Sequence, residues 1–151
     1  MKTRYIDLIE QTFDFPRDEF KLEADKLLWN DLPLTELLEK HGTPLRITYL
    51  PKIGEKIDLA RNSFNKAITE HQYGGSYEYF YCTKSNHFSY VIDKVLDKGV
   101  NLETSSAYDL EMIELLIERG RITKDATILC NGFKDERYIK GIGKLANRGY
   151  N

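Results

Sequence analysis

Tyr77-Glu78-Tyr79-Phe80-Tyr81-Cys82-Thr83-Lys84-Ser85-Asn86 carries an apolar strand into a helix, and a lysine stands at the junction. Tyr77, Tyr79, Phe80, Tyr81 and Cys82 are aromatic or small enough for a buried strand. Period-two alternation puts Phe80, Cys82 and Lys84 on one face, so a lysine ends an otherwise apolar row. A buried amine is costly unless paired, neutral or covalently used, and a desolvated lysine suits Schiff-base chemistry. The bland alternative is a surface lysine whose stem covers the strand end.

Outward from that stretch the chain alternates strand and helix. Phe88, Val91, Ile92, Val95 and Leu96 form a helical stripe that Gly99 closes, and Val100 to Thr104 reads as a second strand. Ser106 with Asp109 resembles a capping box, and Leu110, Ile113, Leu116 and Ile117 supply an inner face down to Gly120. Thr127 to Asn131 reads as a third strand, followed by a helix carrying Tyr138, Ile139, Ile142, Leu145 and Ala146 and stopped by Gly149. Such alternation argues for an α/β fold with parallel strands, joined by right-handed crossovers and covered by helices.

The first forty or so residues have a different pattern. Phe20 to Glu23 and Leu27 to Trp29 flank Ala24-Asp25-Lys26 as a hairpin would, and Pro33 to Lys40 fits a short helix closed by Gly42. Leu45 to Leu50 alternates like a strand, Pro51 ends it, and Ile53, Ile57, Ala60, Phe64 and Ile68 recur at helical spacing. Gly74-Gly75-Ser76 then breaks the chain before the lysine strand.

The chain has 151 residues and a formal net charge of −2, with charges of both signs interspersed, which excludes a basic nucleic-acid stripe. No long apolar span occurs, and Met1-Lys2-Thr3-Arg4 is followed at once by Asp7 and Glu10 rather than by an apolar leader. These features lead us to expect a cytoplasmic chain with neither nucleic-acid nor membrane partners. Cys82 and Cys130 lie in apolar runs that favour reduced, buried thiols. His41, His71 and His87 lack metal-ligand spacing, so no metal site is expected.

Three motifs taken together resemble one family. Tyr81-x-x-Lys84-Ser85-Asn86, Leu102-Glu103-Thr104-Ser105-Ser106 opening a helix, and Leu129-Cys130-Asn131-Gly132-Phe133-Lys134-Asp135 are similar to the opening of the biosynthetic arginine decarboxylases. Those are pyridoxal-phosphate enzymes on an alanine-racemase-like barrel. His41-Gly42-Thr43-Pro44-Leu45-Arg46 and Asn62-Ser63-Phe64-Asn65-Lys66-Ala67 also resemble segments upstream of that barrel, so the likeness runs from about Leu32 onward.

The resemblance implies the N-terminal part of a (β/α)8 TIM barrel, with three βα units in residues 45–151 and a small α+β head in residues 1–44. Eight units close a barrel, so the sequence reads as truncated and inactive alone. The implied activity is decarboxylation of L-arginine to agmatine and CO2 for polyamine synthesis, with pyridoxal 5'-phosphate as cofactor, by a homo-oligomer when complete. Lys84 is the implied catalytic and cofactor-bearing residue, and Asn86, Glu103 and Asn131 are the implied cofactor-binding ones. Glu103 could instead pair with a strand-end lysine, and Asn131 before Gly132 also fits a plain turn. Ser105 and Ser106 fit helix caps. Two other readings stay open: a diaminopimelate or other basic amino acid decarboxylase, since Leu34 to Leu45 resembles that group too, and a non-catalytic fragment that binds a partner.

Overall fold

The computed structural model describes residues 19–151, so the leader-free reading of Met1 to Glu10 lies outside the described residues. The chain divides into two compact units, one ending at Thr48 and the other running Tyr49–Asn151.

In the first unit β1 (Phe20–Glu23), β2 (Lys26–Trp29) and β3 (Leu32–Pro33) form an antiparallel sheet in sequence order. Its two turns are Ala24-Asp25 and Asn30-Asp31, with φ of 46°, 63°, 49° and 63°. Two successive left-handed residues are what a two-residue hairpin needs if the flanking strands are to keep their twist. The first hairpin follows the sequence pattern. The third strand was not anticipated, because two residues are too few to show periodicity. Helix α1 (Leu34–His41) ends at Gly42, whose φ of 77° lets its N–H donate to Leu38 O at 2.7 Å.

The expected strand over Leu45 to Leu50 does not form. Alternation supplies no hydrogen-bonding neighbour, and a strand without one leaves its backbone groups unpaired. Those residues instead lead irregularly into α2 (Pro51–Glu70).

The second unit continues with β4 (Phe80–Cys82), α3 (Ser89–Leu96), β5 (Asn101–Thr104), α4 (Ala107–Glu118), β6 (Ile128–Cys130) and α5 (Glu136–Asn147). The three strands pair in parallel in the order β4-β5-β6, with Cys82 opposite Glu103 and Thr104 opposite Cys130. Leu102 and Thr104, 2% and 0% exposed, point to the side where Val91, Ile92, Val95, Leu110, Ile113, Tyr138 and Leu145 pack. Phe80, Cys82 and Glu103 alternate to the other side, where Leu129 is 44% exposed. One sheet face is therefore covered by helices and the other is open. Phe88 and Ile139, expected in the apolar stripes, are exposed. Phe88 precedes the first turn of α3, and Ile139 lies one residue past buried Tyr138 on α5, about 100° around the helix.

Polar contacts fix the strand ends. Asn101 accepts from Thr127 N at 2.9 Å and donates to Glu78 at 3.3 Å, tying all three strand starts together. Arg61 on α2 donates to the carbonyls of Lys98 and Gly99 at 2.6 and 2.8 Å, closing the end of α3 just before β5. Asn151 O accepts from Ile128 N at 2.8 Å along the outer edge of β6.

Two glycines inside α5 test how packing offsets helix propensity. A Cβ at Gly143 would meet nothing within 4 Å, whereas one at Gly141 would lie 2.7 Å from Cδ1 of buried Leu110. Gly143→Ala is expected to raise unfolding stability by about 1 kcal/mol. Gly141→Ala should fall short of that gain or destabilise, and urea unfolding of both variants measures the difference.

Candidate functional site

The C-terminal ends of the three parallel strands meet along one rim. Strand β4 stops at Cys82, and Thr83–Ser85 form a single 3-10 turn. Lys84 therefore extends beyond the strand, and alternation with Phe80 and Cys82 does not reach it. Thr83, 0% exposed, donates through Oγ1 to Glu103 O at 3.0 Å and ties this turn to β5. Lys84 in the middle of the turn is exposed and makes no hydrogen bond or ion pair with another described residue. Lys84 is therefore exposed rather than desolvated, and no described residue of this unit covers the open sheet face.

Glu103 is the hub of the rim. Its Oε1 accepts from Asn131 Nδ2 at 2.9 Å, and Cys82 Sγ lies 3.6 Å from the same oxygen. Asn131 is fixed twice more, by its N–H on Thr104 O at 2.8 Å and by its Oδ1, which accepts from Gly132 N at 2.7 Å. Gly132 has φ of 80°, and a Cβ there would come 2.7 Å from the backbone oxygen of Ser105. Only glycine lets the loop after β6 approach the start of α4 so closely.

Ser106 caps α4 as expected, accepting from Asp109 N at 3.4 Å, while Asp109 Oδ2 accepts from Ser105 N at 2.6 Å. Ser105 Oγ itself is buried and has no hydrogen-bond partner among the described residues. Asn86 is not drawn to the others. Its Oδ1 accepts from Phe88 N at 3.1 Å and opens α3, and its carbonyl accepts from Tyr81 OH at 2.9 Å. Of the four residues singled out in the sequence, the structure joins Glu103 directly to Asn131, sets Lys84 in the adjoining turn, and uses Asn86 locally.

A buried support that no sequence pattern singles out lies beneath the rim. Tyr138 donates to Thr104 O at 3.0 Å, which leaves its oxygen free to accept from Thr104 Oγ1 at 2.8 Å. The Lys134 ammonium lies 4.9 Å from the centre of the Tyr138 ring and donates to Gly132 O at 2.9 Å. Tyr138 resembles one more apolar stripe residue in sequence, so only its buried hydroxyl gives it away. Cys82 could have been placed beside Glu103 by counting register. Both cysteines are free and partly buried rather than sealed in the core, Cys82 because it faces the open side. Among the described residues no group of three His, Cys, Asp or Glu could hold a metal, and no helix is long and apolar enough to cross a membrane.

The chain matches no family model. It is 30% identical over 136 residues, 87% of its length, to the biosynthetic arginine decarboxylase of Prochlorococcus marinus strain MIT 9301. Over 72% of its length it is 30% identical to the enzyme of that name from Alkalilimnicola ehrlichii, and 28% identical to that from Synechococcus sp. strain RCC307. This chain is related to the biosynthetic arginine decarboxylases. It spans less than a fifth of the length of these curated relatives, with 19%, 16% and 18% covered.

In this relative of the decarboxylases, the support under the rim has a pH signature. Burial pushes the Tyr138 hydroxyl up to about 12, with the Thr104 hydrogen bond acting against it. Folding thus favours the protonated phenol, and the associated stability is complete below the ordinary value near 10 and is lost as pH rises toward 12. Tyr138→Phe should lower stability near neutral pH by about 1 kcal/mol through loss of its two buried hydrogen bonds to Thr104. It should also flatten the decline above pH 10, as followed by urea unfolding at several pH values.

Proposed function

We propose that this chain forms the lysine-bearing part of a pyridoxal-phosphate-dependent arginine decarboxylase built on a (β/α)8 barrel. The observation that carries the reading is the strand-end rim, where Lys84, Glu103 and Asn131 gather beside an open sheet face in a relative of enzymes bearing that name. Barrel enzymes place their chemistry at such C-terminal strand ends. The consecutive parallel order β4-β5-β6 and the pairing of Asn151 outside β6 support the barrel. The open face would then be barrel interior.

The residues present fit the cofactor in three respects. Lys84 offers an exposed amine, Glu103 retains one carboxylate oxygen and Ser105 presents a buried hydroxyl, each without a hydrogen-bond partner among the described residues. Lys84 Nζ would hold the cofactor covalently, Glu103 would accept a hydrogen bond that orients it, and Asn131 and Asn86 would complete this side. When bound, the cofactor supplies the electron sink for the pair left on the substrate Cα as CO2 departs. The net reaction breaks the bond from Cα to the carboxylate of arginine, adds a proton at Cα and yields agmatine, a step in polyamine synthesis. In this reading the complete enzyme is a cytoplasmic homo-oligomer, and the boundary near residue 44 separates its head from the barrel.

Borohydride trapping of the chain with pyridoxal 5'-phosphate, followed by peptide mapping, is expected to mark Lys84. A label confined to other lysines would sink the assignment. The 151 residues alone are expected to release no CO2 from arginine at saturating cofactor, because three strands leave most of a barrel site unbuilt. Product analysis of a longer chain with arginine, ornithine and diaminopimelate separates the substrate readings. The exposed Leu129 and Phe133, 44% and 86% accessible, favour a second reading, a non-catalytic part that docks a partner on the open face. Absence of any Lys84 label would favour it.

A further inference from the structure

We propose that Asn131 is a positioning residue that acts through Glu103 and makes no contact with a ligand itself. This inference rests on the reading of the rim given above and changes the role assigned there to Asn131. Three bonds define its place: Nδ2 to Glu103 Oε1 at 2.9 Å, Oδ1 from Gly132 N at 2.7 Å, and the backbone N–H on Thr104 O at 2.8 Å. The side chain therefore spans from the turn after β6 to the carboxylate on β5. Glu103 Oε1 is occupied by that amide, with the Cys82 thiol beside it, while Oε2 has no hydrogen-bond partner among the described residues.

A glutamate on an exposed strand end would sample several rotamers, and freezing it has an entropic cost at the moment of binding. An amide anchored at both ends meets that cost during folding. It presents Oε2 as a preset acceptor, and such a group takes a hydrogen-bond donor or a cation. The anchoring has its own foundation. Thr104 O accepts from both Asn131 N and Tyr138 OH, so the turn is referenced to α5 as well as to the sheet.

A plain turn role and a positioning role separate on Asn131→Asp. Aspartate keeps the acceptor for Gly132 N and suits the same turn, but it replaces the donor to Glu103 with a second carboxylate. The variant should unfold in urea as the parent does, while trapping of pyridoxal 5'-phosphate on Lys84 falls about tenfold, the scale of one charge-assisted hydrogen bond. Glu103→Ala should fall by a similar factor, and Asn131→Ala with Glu103→Ala should be no worse than Glu103→Ala alone. Parent-like labelling of Asn131→Asp would reduce the residue to a turn former and overturn the proposal. Losses that multiply in the double variant would put Asn131 on the ligand and overturn it equally. If Asn131→Asp does not fold, Asn131→Ser, which keeps a short acceptor without the reaching donor, takes its place in the comparison.

A ligand-free measurement keeps the inference separable from the functional reading. Hydrogen exchange of the Asn131 side-chain amide should be slow in the parent and at least about tenfold faster in Glu103→Ala. If Lys84 takes no label in the parent, the cofactor reading fails, and this exchange response still supports the positioning of Glu103. Exchange indifferent to Glu103 overturns it.

Discussion

A three-stranded parallel sheet with only one face under helices is the constraint on which the second unit depends. Parallel strands reach their neighbours through crossovers, and each crossover here lays a helix on the same side, where Leu102, Ile113, Val95 and Tyr138 shut out water. Burying such side chains supplies on the order of 2 kcal/mol each, so the covered face carries the stability. The opposite face contributes little to it and is free to hold Cys82, Glu103 and the open rim. Division of labour between the two faces explains why polar groups can gather at the strand ends without unfolding the chain.

Hydrogen bonds at the two ends of the sheet do different things. Asn101 joins the three strand starts through side-chain contacts, which fixes register where no ligand chemistry is proposed. At the other end Thr104 O collects the Tyr138 hydroxyl and the Asn131 amide, so a buried helix residue and an exposed loop residue share one acceptor. The exposed geometry of the rim thereby inherits its order from the core.

Much of this architecture could be read from residue patterns, and the exceptions are instructive. Stripes such as Leu110, Ile113 and Leu116, together with stops such as Gly99 and Gly120, gave the helices to within a few residues, because periodicity and left-handed caps are local properties. Leu45 to Leu50 misled because pairing depends on a neighbour that no local pattern reveals. Lys84 stands just past the end of β4, yet its solvation depends on what covers the open face, which no residue of the strand encodes. Glu103 and Asn131 each stand at a strand end in the sequence with nothing local to link them. Their bond follows from register across β5 and β6, and the Tyr138 support from a contact between residues 34 positions apart.

Arg61 has a consequence for mutational tolerance. The α2 residues from Asn62 to Ala67 that follow it are exposed, and substitutions there should pass unnoticed. Arg61 looks like one more solvated charge, but its guanidinium spans two consecutive carbonyls that finish α3 and set the start of β5. A lysine has the charge without the fork. Sequence drift along this helix should therefore skip one charged position as though it belonged to the core, and a substitution map of α2 would show Arg61 as intolerant as the buried Ile57 one turn before it.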